Sequence, residues 1–185
     1  MAQTKLTDKR LAVITSFLLN PAIWSMLTLA ILFRVFDVSF NDALEIFIPG
    51  FVPVFLYVAV TVVLTRKSDI EFTDVRTRPP LLVIACLGAL ISTVISARLA
   101  PGVNYYLTRS LIVLVLTTAI TFYWKISFHA IFFSMSVLTM ARLLHPAFIM
   151  LFVFLPVLFW SRIILKKHKL IQLICGTLIT FLVLL

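Results

Sequence analysis

The stretch Pro80–Leu99, PLLVIACLGALISTVISARL, carries no charged side chain until Arg98. About 20 consecutive apolar residues are what an α-helix needs to cross the hydrocarbon core of a bilayer. Working outward, the same reading predicts helices near 20–36, 45–65, 104–123, 128–143, 146–163 and 169–185. Barrel strands would alternate apolar and polar residues, and neither Leu111–Ile120 nor Ala147–Phe159 does so. The chain is 62% hydrophobic and 12% charged over 185 residues, with a mean hydropathy of +1.15. Soluble domains lie nearer roughly half apolar and a quarter charged. Lipid is therefore the solvent, and helices satisfy their own backbone groups within it. The fold class expected is all-α: a polytopic transmembrane helical bundle of six to seven spanning helices, organised as a single domain over 1–185.

Punctuation supports these limits. Pro79-Pro80, Pro101-Gly102 and His145-Pro146 mark breaks, because proline removes a helical hydrogen bond. Asn20-Pro21 reads as the cap and first turn of the first crossing, with residues 11–19 as an interfacial helix before it. Pro49, Pro53 and Pro156 fall inside predicted helices and are expected to kink them. Cys86 and Cys175 lie in apolar runs and form no CxxC or disulfide framework. The N-terminus lacks a small-residue cleavage site, so Leu11 onward reads as mature protein.

Charge is distributed unevenly. All seven acids lie at or before Asp74, while the remaining 111 residues hold ten Lys or Arg and all three His. That region lacks the carboxylates for a hard-metal site or a paired-carboxylate acid/base device, and no cofactor is called for. It favours an anionic ligand. Nucleic acid is not expected as a partner despite a pI near 10.1, because bases between spanning helices are poorly presented to a duplex. Seven crossings put twelve Lys or Arg on one side and Arg34, Arg98, Arg109 and Arg142 on the other. The first side is then cytoplasmic by the positive-inside rule.

Three polar clusters fall on that basic side, two crossings apart: Asp74-Val75-Arg76-Thr77-Arg78-Pro79, Lys125-Ile126-Ser127-Phe128-His129, and Ser161-Arg162 followed by His168 and Gln172. Ionisable residues at helix ends within a membrane are costly unless they snorkel or function. Lys166, Lys167 and Lys169 read as snorkelling residues, and His145 as structural. Arg78 and Arg162 suit phosphate oxygens, which the guanidinium fork engages bidentately. His129 and His168 each lie near a hydroxyl and a cation, and imidazole titrates near neutral pH.

In order and spacing, these clusters resemble the tripartite signature of the type 2 phosphatidic acid phosphatases, the superfamily that includes the vanadium haloperoxidases. Its usual form is K-x6-R-P, then P-S-G-H, then S-R-x5-H-x3-D. Ser161, Arg162 and His168 match the third element, with Gln172 in place of Asp. Ser127 and His129 match the second, with Ile126 and Phe128 in place of Pro and Gly. Arg78-Pro79 matches the first, but Glu71 occupies the lysine position, and Lys67, Arg76 or Lys125 would supply that cation. The resemblance covers about residues 67–176.

It implies a metal-independent lipid phosphatase. His168 would be the nucleophile and His129 the general acid. Gln172 would orient His168, and Arg78 and Arg162 would hold the phosphate with Arg76, Lys125, Lys67 and Ser127. The substrate partner would be a membrane lipid phosphomonoester or pyrophosphate of the phosphatidic acid, phosphatidylglycerol phosphate or isoprenyl phosphate type. Two other classes compete: a small anion transporter or channel lined by Arg98, Arg109 and Arg142, and an inactive relative serving as a binding subunit. The first lacks internal repeats and paired broken helices. An isoprenoid transferase using Asp-bound magnesium fails because no Asp follows residue 74.

Overall fold

The computed structural model describes the backbone of residues 2–65 and 78–185 and the side chains of residues 7–64 and 79–185. The described chain is all-helical: α1 Ala2–Leu18, α2 Pro21–Val35, α3 Phe40–Thr65, α4 Arg78–Leu99, α5 Pro101–Thr121, α6 Phe128–Leu143, a 3₁₀ segment Pro146–Phe154, α7 Leu155–Ile164 and α8 Leu170–Leu184. Five segments have the length and composition to cross a membrane: Thr7–Val35, Phe40–Leu64, Pro79–Leu99, Pro101–Thr121 and Pro146–Ile164. This is an integral membrane protein. The apolar helices α6 and α8 occupy the expected places but have 16 and 15 residues, a rise of about 24 and 22 Å against a hydrocarbon core of roughly 30 Å.

The chain forms two compact units, one of residues 1–31 and 126–185, the other of residues 32–125. In the second unit α3 packs on α4 and α4 on α5. Ala100 is the N-cap of α5, with Pro101 in its first turn. Asn104 Nδ2 donates to Thr93 O at 2.6 Å and to Ser96 Oγ at 3.1 Å, tying the start of α5 to the end of α4. Ser92 Oγ donates to Ile46 O at 2.6 Å across the α3–α4 pair. The outward faces are apolar, as lipid contact requires: Leu56, Val63 and Leu64 are all well exposed.

The first unit carries the third polar cluster and all of the second but Lys125. Asn20 Oδ1 accepts from Ala22 N at 2.8 Å, capping α2 as the Asn-Pro pair predicts. Helix α6 is the spine, buried over most of its length, with α8, α7 and the 3₁₀ segment packed on it. Ala130, Phe133, Val137, Leu158 and Leu173 form the core, and Trp24 meets Phe133 edge-on at a centroid distance of 4.9 Å. Gly176 lets α8 approach closely. A Cβ there would stand 3.0 Å from Ser127 O and 3.2 Å from Ile131 Cγ1.

Two expectations are corrected. The helix predicted over 146–163 is a 3₁₀ segment to Phe154 and an α-helix only from Leu155. Pro156 therefore does not kink a helix interior. It occupies the first turn of α7, where its missing N–H has no carbonyl to serve. Pro49 and Pro53 do lie inside α3, as expected.

Candidate functional site

Three chain segments of the first unit meet at one end of α6. The first is its N-terminus. Ser127 is the N-cap, extended at φ −93°, ψ 109°, and its Oγ accepts from Ala130 N at 3.5 Å. Capping uses a lone pair and leaves the hydroxyl proton for another acceptor. His129 follows in the first turn and is buried.

The second segment is the C-terminus of α7. Ser161 Oγ donates to Leu158 O at 2.8 Å. Arg162 is only 2% exposed, and its Nη1 lies 3.5 Å from His129 Nε2. Guanidinium only donates, so His129 Nε2 faces it as the acceptor in this arrangement.

The third segment is the turn into α8, and the x5 spacing between Arg162 and His168 has a structural reason. Helix α7 ends in a Schellman motif: Lys166 N donates to Ile163 O at 2.9 Å, and Lys167 N to Arg162 O at 3.0 Å. Lys166 takes the left-handed conformation, φ 54°, in a position that usually belongs to glycine, at a cost of roughly 1–2 kcal/mol. The reversal brings His168 N to Arg162 O at 3.4 Å. One carbonyl thus couples the arginine to the second histidine through the backbone.

Gln172 holds that histidine by a route different from the one its spacing predicts. A spacing of four residues would put His168 and Gln172 on one face of a helix. His168 instead lies before α8, whose N-cap is Lys169. Gln172, in the first turn, reaches back over the cap. Its Oε1 accepts from Lys169 N at 2.9 Å and lies 3.3 Å from His168 Nδ1. The backbone N–H is an obligatory donor, so it fixes which end of the amide is oxygen. The proton between Gln172 and His168 must then reside on Nδ1, and this tautomer leaves the lone pair on Nε2. The ring of contacts closes through Ser127 N, which donates to Gln172 O at 3.4 Å. All five residues are buried.

The first unit contains one acidic residue, Asp8, against eight Lys or Arg. Its field attracts anions. Among the described residues no group of three or more His, Cys, Asp or Glu gathers as a metal site.

The sequence-predicted residues thus divide. Ser127, His129, Arg162, His168 and Gln172 come together. Lys125, at the end of the second unit, and Arg78, the first residue of α4, belong to the other compact unit. Lys67 and Arg76 lie outside the described residues. His145 caps the 3₁₀ segment, its Nδ1 accepting from Ala147 N at 3.1 Å, the structural role expected of it. Sequence reasoning missed Ser16, on α1, whose Oγ accepts a hydrogen bond from Arg162 Nη1. A serine within LAVITSFLL gives no motif, and only the packing of α1 on α7 reveals it. Comparison with family models, with curated proteins and with solved structures finds no match to this chain.

Proposed function

We propose that this protein is a membrane phosphatase that hydrolyses a lipid phosphomonoester or pyrophosphate through a phosphohistidine, without metal. One observation carries the reading: the buried Arg162 guanidinium lies 3.5 Å from the buried imidazole of His129, 33 residues away, and a second buried imidazole, His168, is held 3.3 Å from Gln172 Oε1 with its backbone N–H on Arg162 O at 3.4 Å. A tautomer with the lone pair on His168 Nε2 is the nucleophilic form.

In the proposed reaction Nε2 attacks phosphorus and the bond from phosphorus to the lipid oxygen breaks. In the resting arrangement His129 Nε2 accepts from Arg162, so acid catalysis requires that contact to open and the ring to take up a proton, which His129 then gives to the departing oxygen. Arg162 balances charge on the equatorial oxygens, with Ser127 as a further donor, and Arg78, Arg76, Lys67 and Lys125 as the remaining candidate cations. Water then attacks the phosphohistidine, His129 takes its proton, and the phosphorus–nitrogen bond breaks to release phosphate. A lipid phosphate fits because its headgroup can reach helix termini while its tail stays in the bilayer. Phosphatidic acid, phosphatidylglycerol phosphate and isoprenyl phosphates present the same phosphoryl group. The basic excess on the predicted side of the site favours a cytoplasmic active-site face.

The test is phosphate release from these lipids in detergent with EDTA. Wild-type protein is expected to turn over, and vanadate, which adopts the geometry of the transition state, to inhibit. His129→Ala is expected to lower kcat by about 10²–10⁴-fold, the usual contribution of a positioned general acid. Absence of release from every lipid, or wild-type rates in His129→Ala, rejects the reading.

Gln172 gives a second prediction. An amide orients imidazole but adds no charge to stabilise imidazolium, so Gln172→Asp is expected to keep or raise kcat. Gln172→Leu removes both the acceptor and the reach over the α8 cap, and is expected to lower kcat by roughly 10- to 100-fold. A large loss in the Asp variant contradicts this role.

A further inference from the structure

Helix α1 lies outside all three motif clusters, yet it reaches the arginine. Ala12 and Ser16, one turn apart, are 0% and 4% exposed, while Leu11, Val13, Ile14, Phe17 and Leu18 are each more than half exposed. One narrow face therefore docks α1 on α7, and the rest is left to lipid. Hydroxyls elsewhere in these helices mostly donate back to the carbonyl of residue i−4, as Thr28, Ser110, Thr118 and Thr121 do. Ser16 instead accepts from Arg162 Nη1.

We infer that Ser16 is a positioning residue, fixing the guanidinium of Arg162 for a phosphoryl ligand. The inference rests on the phosphatase reading for its kinetic consequence, but its core, anchorage of an anion-binding arginine, concerns binding. The guanidinium is planar and its N–H directions are rigidly related. Anchoring Nη1 to Ser16, with His129 Nε2 3.5 Å from the same nitrogen, sets the plane and so the direction of every other donor. Without the anchor the side chain must lose torsional freedom when the phosphoryl group arrives. Because a guanidinium held off-plane meets the trigonal bipyramid less well than the ground state, the cost falls mainly on kcat and on vanadate, less on KM.

The experiment uses the full chain in detergent and reads two quantities: vanadate binding through tryptophan fluorescence, and lipid phosphate hydrolysis. Ser16→Ala is expected to weaken vanadate binding about 10-fold and to lower kcat by a similar factor, the scale of a hydrogen bond to a charged group. Ser16→Thr, which keeps the hydroxyl, is expected to stay within about 2-fold of wild type. In an Arg162→Lys background, Ser16→Ala is expected to add no further loss, because the two residues act as one. Wild-type vanadate affinity in Ser16→Ala, equal losses in the Ala and Thr variants, or full additivity with Arg162→Lys would overturn the proposal. A wild-type protein that binds vanadate without hydrolysing any lipid sinks the phosphatase reading, while the binding comparison still judges Ser16. Absence of vanadate binding overturns both.

Discussion

Replacing His168 with alanine is expected to abolish lipid phosphate release, with a fall in kcat on the order of 10⁴-fold or more, the scale seen when a catalytic nucleophile is removed. No neighbour can take over the attack. Arg162 is a permanent cation, and His129 Nε2 is engaged 3.5 Å from its Nη1. Water attacking directly would lose the division of one hard step into two easier ones. The loss is expected to be chiefly chemical: alanine gives up the Nδ1 contact with Gln172 but keeps the bond from the His168 backbone to Arg162 O. Elution in detergent is expected to match wild type, with a small fall in unfolding temperature for the lost side-chain contact. Phosphate release above about one-tenth of the wild-type rate in a folded His168→Ala protein would remove this residue from the mechanism.

The largest structural effect is expected far along the chain, at Gly88. Pro53 has no N–H, so the carbonyl of Pro49 lacks its helical donor four residues on. That carbonyl faces α4 at Gly88, where an added Cβ would collide with Pro49 O and press on its carbonyl carbon at 3.2 Å and on Gly50 Cα at 3.4 Å. All three obstacles are backbone, so no side chain can swing aside. Small residues are what allow membrane helices this approach. Gly88→Val is expected to cost more than about 4 kcal/mol, the range of substitutions that abolish a packed contact outright. It should prevent recovery of monodisperse protein, or lower its unfolding temperature by many degrees. Gly102→Ala is the comparison and is expected to cost less, since the atoms nearest its Cβ belong to the Phe36 side chain and not to backbone. Wild-type stability in Gly88→Val would refute the α3–α4 interface.

Much of this molecule is legible in its sequence because lipid leaves few choices. Among the described residues apolar length locates α2 to α6 and α8, Asn20 caps α2 as its pairing with Pro21 predicts, and the break expected at His145-Pro146 is the start of the 3₁₀ segment, whereas α1 begins at Ala2, well before the interfacial helix expected over 11–19. Helix quality was harder to read. Nothing in PAFIMLFVF separates a 3₁₀ from an α-helical turn, and Pro156 reads equally well as kink or start until its neighbours are seen. In the candidate site, His129, Arg162 and His168 are singled out by residue type and by the family resemblance, but their means of assembly are not legible. The turn at Lys166 needs a left-handed residue, and lysine carries no such signal. The four-residue spacing of Gln172 from His168 suggests a shared helix face, but α8 begins only after His168. Ser16 was invisible because its partner is 146 residues away. Long-range contacts to single hydroxyls have no periodicity to betray them.

The most direct test of the account is to trap the covalent intermediate. Wild-type protein would be mixed with a labelled lipid phosphate, quenched in alkali within one turnover, where phosphohistidine persists, and mapped by mass spectrometry. Label on His168 alone, lost in His168→Ala, is the predicted result. Label on any other residue, or burst-phase turnover with no labelled protein, would contradict it.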